Sequence, residues 1–286
     1  MANQFEFKLP NGQLVYTGNQ EPETMPLSFK EYPETSIRSI DDIAEIVKND
    51  KRATSREKMR NYIRNQGRRS SCNAYMAAWM LCRVIFNQTG IWHDLAPEFL
   101  YMLINGGKDN GSMLDDGMVK VTDEGICQRT YIPYEAYQQR TIGMEQWRMA
   151  TQNAKNYRAY ECYQMPTSSM EKCYLAMLSC IAGRGCVGTA VHVGNNYMRS
   201  GITAGVDRGV GNHAVPGDDI VLKTPRPKSI EDFDIVSPQS WGKDFADKGF
   251  TDLNYRHFQQ TYKVHAFYGM RSAVATADQV SETRIR

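Results

Sequence analysis

Apolar residues recur at helical spacing in Ser39-Ile40-Asp41-Asp42-Ile43-Ala44-Glu45-Ile46-Val47, behind a polar start with early acids, which predicts a short helix. A second helix is predicted over about Ser55 to Ile63. The longest apolar region, Ala74 to Phe86, is interrupted by Arg83, and a buried central helix is predicted from Cys72 to Phe86. Helical segments near 97–104, 113–123 and 133–141 follow it. After about residue 180 the texture changes to short alternating pieces. Strands are predicted over Cys186 to Val193, at Ala214-Val215, Ile220 to Leu222 and Phe233 to Val236, and over Tyr262 to Tyr268. At the other end, Phe5 to Leu9 and Leu14 to Tyr16 flank Pro10-Asn11-Gly12, predicting a small hairpin laid on the main domain. A polar Gly-Asn-Gln-Glu-Pro stretch comes next and reads as a turn. Helices followed by strands predict an α+β fold, with no internal repeat.

With 286 residues, 41% of them hydrophobic, the chain can bury a core large enough for one domain or two lobes sharing an interface. The central apolar run falls short of the roughly 18 residues that span a bilayer. The N-terminus has no apolar run of signal-peptide length and carries the early acid Glu6, so the expected location is cytoplasmic, with no membrane contact. A net charge of +2 gives no instruction about partners. Locally, Lys48, Lys51, Arg52, Arg56, Lys58, Arg60, Arg64, Arg68 and Arg69 crowd one stretch. A solvated face is the default reading of it. A nucleic-acid partner is disfavoured because interleaved aromatic residues are lacking. Seven cysteines is an odd number, so at least one thiol stands outside any intramolecular pairing. Cys173, Cys180 and Cys186 lack a paired Cys-x-x-Cys pattern and read as core residues; no metal and no cofactor are expected.

The candidate chemistry begins at Asn65-Gln66-Gly67-Arg68-Arg69-Ser70-Ser71-Cys72, where a polar stretch meets the central helix. A thiolate at a helix N-terminus is stabilised by unpaired backbone N–H groups and the positive end of the helix dipole. An amide six residues upstream can fold back on an oxyanion. Asn212-His213-Ala214-Val215 follows, its histidine 141 residues after Cys72, and then Ser240-Trp241-Gly242 before Lys248-Gly249-Phe250. Between them lie Leu95-Ala96-Pro97-Glu98-Phe99-Leu100-Tyr101, Asn110-Gly111-Ser112, and Glu124-Gly125-Ile126-Cys127 leading to Ile132-Pro133-Tyr134.

Taken in this order, the segments resemble the papain-like cysteine peptidases, in the disulfide-poor form of bacterial or phage-type members, over roughly residues 60–270. The resemblance implies a two-lobed fold: a helical lobe (60–180) carrying the nucleophile and a β-barrel-like lobe (181–270) carrying the histidine, with the cleft between. An N-terminal extension (1–59) and a C-terminal tail (271–286) flank them. It implies Cys72 as nucleophile, His213 as its ion-pair partner and later the acid to the leaving amine, and Gln66 with the Cys72 N–H as oxyanion hole. Trp241 would shield the histidine's outer hydrogen bond, and Gly111 would offer backbone bonds to an extended peptide or protein substrate. Secreted relatives carry a paired cysteine where this chain has Arg69, so reduced thiols and an intracellular origin are expected. The long helical pro-segment of those relatives is not found, and control by its removal is not expected.

Three departures stand out. Gln239 occupies the position of the family's orienting asparagine, one methylene longer. Asn73 stands where the family has tryptophan. His213 and Gln239 lie 26 residues apart, with Lys223-Thr224-Pro225-Arg226-Pro227-Lys228 as an inserted basic loop. The expected function is therefore a thiol-dependent endopeptidase or isopeptidase. The alternative is a catalytically attenuated papain-fold subunit of a larger assembly such as a phage particle, held by protein partners.

Overall fold

The computed structural model describes residues 5–9, 11–19, 29–50, 55–106, 108–134, 136, 142–199, 201–208, 212–275 and 283–284. The chain opens with the predicted hairpin, β1 (Phe5–Lys8) and β2 (Leu14–Thr17), paired antiparallel with Phe5 opposite Thr17. Helix α1 (Ile40–Asn49) starts at Ser39, whose hydroxyl accepts from the Asp42 N–H while the Asp42 carboxylate accepts in return, so two orphan groups of the first turn are satisfied at once. Then come α2 (Ser55–Met59), α3 (Cys72–Thr89), β3 (Ile91–Trp92), α4 (Pro97–Asn105), α5 (Leu114–Asp123) and α6 (Met144–Ala154). Next are β4 (Tyr157–Gln164), α7 (Met170–Ala182), β5 (Cys186–His192), the single-turn α8 (Asn195–Met198), β6 (Asn212–Gly217), β7 (Asp219–Leu222) and β8 (Phe233–Pro238). The chain finishes with β9 (Phe250–Asn254), α9 (Tyr255–Thr261), β10 (Tyr268–Ala275) and β11 (Thr283–Arg284).

Helix α3 organises the molecule. It has no glycine or proline along its length and ends at Gly90, whose left-handed backbone (φ 75°) no β-branched residue would adopt cheaply and whose N–H closes on the Phe86 carbonyl. Most of its residues are buried, Arg83 among them, so it is a core helix rather than a surface one. One side packs on β6 and β10, the other on α4 and α5. A second apolar core joins α7, α9 and β5, holding Cys173 and Cys180 inside it.

Among the described residues no closed barrel forms where a β-barrel-like lobe is expected: the larger sheets are a four-stranded one in the order β4-β10-β5-β6 and a three-stranded one in the order β7-β8-β9, both antiparallel. Strand β4 lies in the stretch read as helical. Its alternation is masked by charges, because Arg158 and Glu161 are partly exposed. Conversely, Tyr262 to Phe267 is not a strand: Lys263 takes a left-handed φ of 68°, and only Tyr268 begins β10. That strand crosses the boundary set at 270 and continues to Ala275, while β11 pairs with β3, so part of the expected tail belongs to sheets. The helix predicted over 133–141 falls largely outside the described residues. Among the described residues no helix is long and apolar enough to cross a membrane.

Candidate active site

Cys72 is the first residue of α3, fully buried. The backbone N–H groups of Ala214, Gly18, Asn73 and Cys72 itself act on its sulfur and favour the thiolate, but burial outweighs them and the thiol is held above its ordinary pKa. The Ala214 contact brings β6 against the start of α3, and with it His213, the preceding residue. His213 is also fully buried. Burial pushes its imidazole down to about 3, only partly opposed by the Gln239 amide, and neither ring nitrogen has a hydrogen-bond partner. Burial thus favours the neutral form of each group, the protonated thiol and the unprotonated imidazole.

Trp241 lies on the face of the His213 ring, centroids 4.1 Å apart and planes 18° from parallel. Phe245 and Tyr197 wall the indole from behind, at 4.9 Å and 6.1 Å. Gln239 follows β8. Its side-chain N–H₂ donates to Ser237 Oγ at 2.9 Å, Ser237 Oγ in turn donates to the Pro216 carbonyl at 2.7 Å, and the Gln239 Oε1 is unpartnered. The longer arm is thus tied back to its own strand, close enough to His213 to influence it but without a hydrogen bond to it.

Gln66 is locked at both ends of its amide: Nε2 donates to the carbonyls of Arg69 (2.6 Å) and Tyr16 (3.1 Å), and Oε1 accepts from Ser240 Oγ at 2.5 Å. The Gln66 N–H donates to the Ser240 carbonyl, and Asn65 bridges to Trp241, which joins the two motifs. Asn73 makes a polar tie, donating to Ser112 Oγ at 3.0 Å and to the Met113 carbonyl at 2.5 Å. It therefore holds α3 to the loop that carries Gly111, where φ is +71°.

The feature missed in the sequence is what covers Cys72. From Thr17, the last residue of β2, the chain runs through Gly18 and Asn19, and the Gly18 N–H reaches the Cys72 sulfur. The Gly18 carbonyl accepts from the Ser112 N–H at 3.0 Å, the Asn19 N–H donates to the Asn212 carbonyl at 3.4 Å, and Asn19 pairs in parallel with Ser112. Asn19 Nδ2 lies 3.4 Å from His265 Nδ1, both buried. Thr17, Gly18 and Asn19 are buried as well, so the Gly-Asn read as a turn is the seal of the site. Its partners lie about 90 and about 190 residues away in the chain, and no local pattern announces them.

The basic stretch before Cys72 is partly neutralised: Arg56 pairs with Asp247 and Asp252, Arg64 with Asp94, and Arg69 with Asp109. Among the described residues no group of three His, Cys, Asp or Glu side chains is placed to hold a metal. All seven cysteines are free thiols.

No model of a known protein family matches the chain, and no curated protein does. Among solved structures it is similar to xylellain, a cysteine protease from Xylella fastidiosa (TM-score 0.57, 19% identity, 73% of this chain and 82% of that one). It is likewise similar to bromelain from Ananas comosus in complex with the inhibitor E64 (TM-score 0.56, 14% identity, 75% and 93%). A recombinant stem bromelain precursor matches over 89% of this chain and 78% of its own, with TM-score 0.59 and 15% identity. At such identities the likeness speaks for the fold: the chain has the papain-like cysteine protease fold.

Proposed function

We propose that the chain is a thiol peptidase, cutting peptide or isopeptide bonds, described here in a latent state with its own N-terminal strand in the cleft. The observation that carries this reading is the meeting of Cys72 at the start of α3, the His213 strand and the Gln66 amide beneath one extended segment of backbone. An extended segment there marks where a substrate would lie.

In the open form, water and the mutual attraction of the two groups reverse the effect of burial, so that Cys72 gives its proton to His213. The thiolate attacks the substrate carbonyl carbon, and the resulting oxyanion takes hydrogen bonds from the Cys72 N–H and the Gln66 Nε2 that now serves the Tyr16 carbonyl. Collapse breaks the C–N bond; His213 delivers the proton to the departing amine, leaving a thioester. A water then gives its proton to His213, attacks the thioester and releases the acid and the thiol. Gln239, freed from Ser237, would orient the imidazole, and Trp241 supports its ring face.

The test is alkylation of the reduced protein across about pH 4–9, with cysteines mapped by mass spectrometry, using iodoacetamide and E64, the inhibitor held by bromelain in its complex. Protein with the N-terminal segment clipped or displaced should label at Cys72 rapidly at acidic to neutral pH, and His213→Ala should abolish that advantage. A Cys72 that reacts in the displaced form no faster than an ordinary thiol overturns the reading.

A further inference from the structure

Gly18 sits in a slot one backbone wide. A Cβ on this residue would lie 2.1 Å from Ser70 Cβ and 2.8 Å from both Ser70 Cα and Oγ. On the opposite side, a Cβ on Gly111 would lie 1.8 Å from the Gly18 carbonyl oxygen. Glycine is not there for its backbone freedom, because Gly18 is absent from the positive-φ residues among those described. It is there for space.

The wall cannot step aside. The clash involves Ser70 Cα and Cβ, which no rotamer moves. The Ser70 N–H donates to Asp109 Oδ1 at 2.8 Å, the Tyr101 hydroxyl donates to the same oxygen at 2.8 Å, and Arg69 pairs with Asp109 at 3.7 Å. The loop before Cys72 is therefore pinned to the loop that bears Gly111. On either side of the slot the restriction lifts, since Thr17 and Asn19 carry buried side chains, that of Asn19 beside His265.

Building on the peptidase reading, we propose that Ser70 is a specificity determinant, closing the subsite beside Cys72 to every residue but glycine, so that the substrates are glycine-containing peptide or isopeptide chains. Neighbouring positions accept side chains of the size of threonine and asparagine. The N-terminal strand fits because it presents Gly18 at this point.

The slot is tested first in the full chain. Gly18→Ala should drive the segment out and speed iodoacetamide labelling of Cys72 by about 10- to 100-fold, the effect of one overpacked methyl, and Gly18→Ala with Ser70→Gly should return the rate toward that of the parent. An unchanged rate in Gly18→Ala, or no rescue by the second change, overturns the slot. In the Gly18→Ala protein, peptidyl epoxides bearing glycine, alanine or leucine at the residue next to the electrophile should label Cys72 in that steep order, and Ser70→Gly should admit alanine. Equal labelling by glycine and leucine probes overturns the specificity. Failure of the peptidase reading shows differently, as iodoacetamide rates in the Gly18→Ala protein that are no faster than an ordinary thiol's and indifferent to His213→Ala.

Discussion

The imidazole of His213 lies flat against the indole of Trp241, 4.1 Å between centroids, in a setting so dry that it is held neutral down to about pH 3. An unfolded chain binds a proton at this histidine below about pH 6.5, whereas the folded chain does not until about 3. The unfolded state therefore takes up protons first, and stability from this group, present above about 6.5, is lost as pH falls toward 3. Urea midpoints measured through that window should decline with acid, and His213→Gln should flatten this part of the decline. A midpoint as steep in His213→Gln as in the parent contradicts the assignment.

Gln239 donates to Ser237 Oγ while its amide acts on the neighbouring His213 ring, and on the peptidase reading it orients that imidazole. An orienting group misplaced by roughly 1 Å costs about 100-fold in rate. In a displaced-strand background, Gln239→Ala should therefore lower kcat by about 10- to 100-fold, with His213→Ala far more severe. Gln239→Asn should match or exceed the parent. Equal losses in Gln239→Ala and His213→Ala would make Gln239 more than an orienter.

Local signals were enough for the parts of the fold that depend on neighbours in sequence. Helix α3 was legible because a largely apolar run, interrupted by Arg83, suits a buried helix, and α1 because a polar start and early acids precede apolar residues at helical spacing. The stretches that hold Cys72, Gln66, His213 and Trp241, singled out by their order along the chain, are the ones that meet in the fold. What escaped was set by distant partners. Tyr16 to Asn19 cross the cleft because Ser112, Asn212 and Gln66 offer backbone and amide partners there. The shifts at Cys72 and His213, up for the thiol and down for the imidazole, follow from burial, which residue type alone does not reveal. Strand β4 was missed because its pairing with β10, not its own alternation, makes it a strand.

Asp109 holds the Ser70 N–H and the Tyr101 hydroxyl on a single carboxylate oxygen, so two loops of the cleft depend on one side chain. Asp109→Ala should cost about 1.5–3 kcal/mol, the range for hydrogen bonds to a charged group. Arg69→Ala, removing a partly exposed partner at 3.7 Å, should stay within about 0.5 kcal/mol. Denaturant midpoints for the pair check the contrast; similar losses would mean that the ion pair, not the hydrogen bonds, ties the loops.

Deep in α3, Arg83 faces Asp218 at 3.6 Å with both side chains almost fully buried, and the Trp79 Nε1 donates to the same carboxylate at 2.8 Å. Asp218→Ala strands a buried guanidinium and should cost about 3–5 kcal/mol. The double change Arg83→Met with Asp218→Ala should recover a large part of that loss, since no charge remains to be solvated. Thermal or urea unfolding of the three variants checks it, and a double change as unstable as Asp218→Ala would show that packing around the carboxylate matters more than charge.

Among the seven thiols, Cys162 on β4 is half-buried and the other six are buried, Cys72 beneath Gly18 included. Cys162 is a poor nucleophile, pushed up to about 12 by burial, with the Thr122 hydroxyl 3.8 Å from its sulfur. In the untouched chain a time course of iodoacetamide labelling at neutral pH should nevertheless find Cys162 ahead of Cys72, because access decides between two protonated thiols. Displacing the strand with Gly18→Ala should invert the order. The rate at Cys72 should then persist into mildly acidic pH, sustained by the His213 imidazolium, while the rate at Cys162 continues to fall about tenfold per pH unit as its thiolate fraction shrinks. Peptide mapping at each time point reads both rates in one sample, so changes in reagent or overall stability cancel. Cys72 labelling first in the untouched chain would mean that the segment through Gly18 does not cover the sulfur, and the latent state would be lost with it.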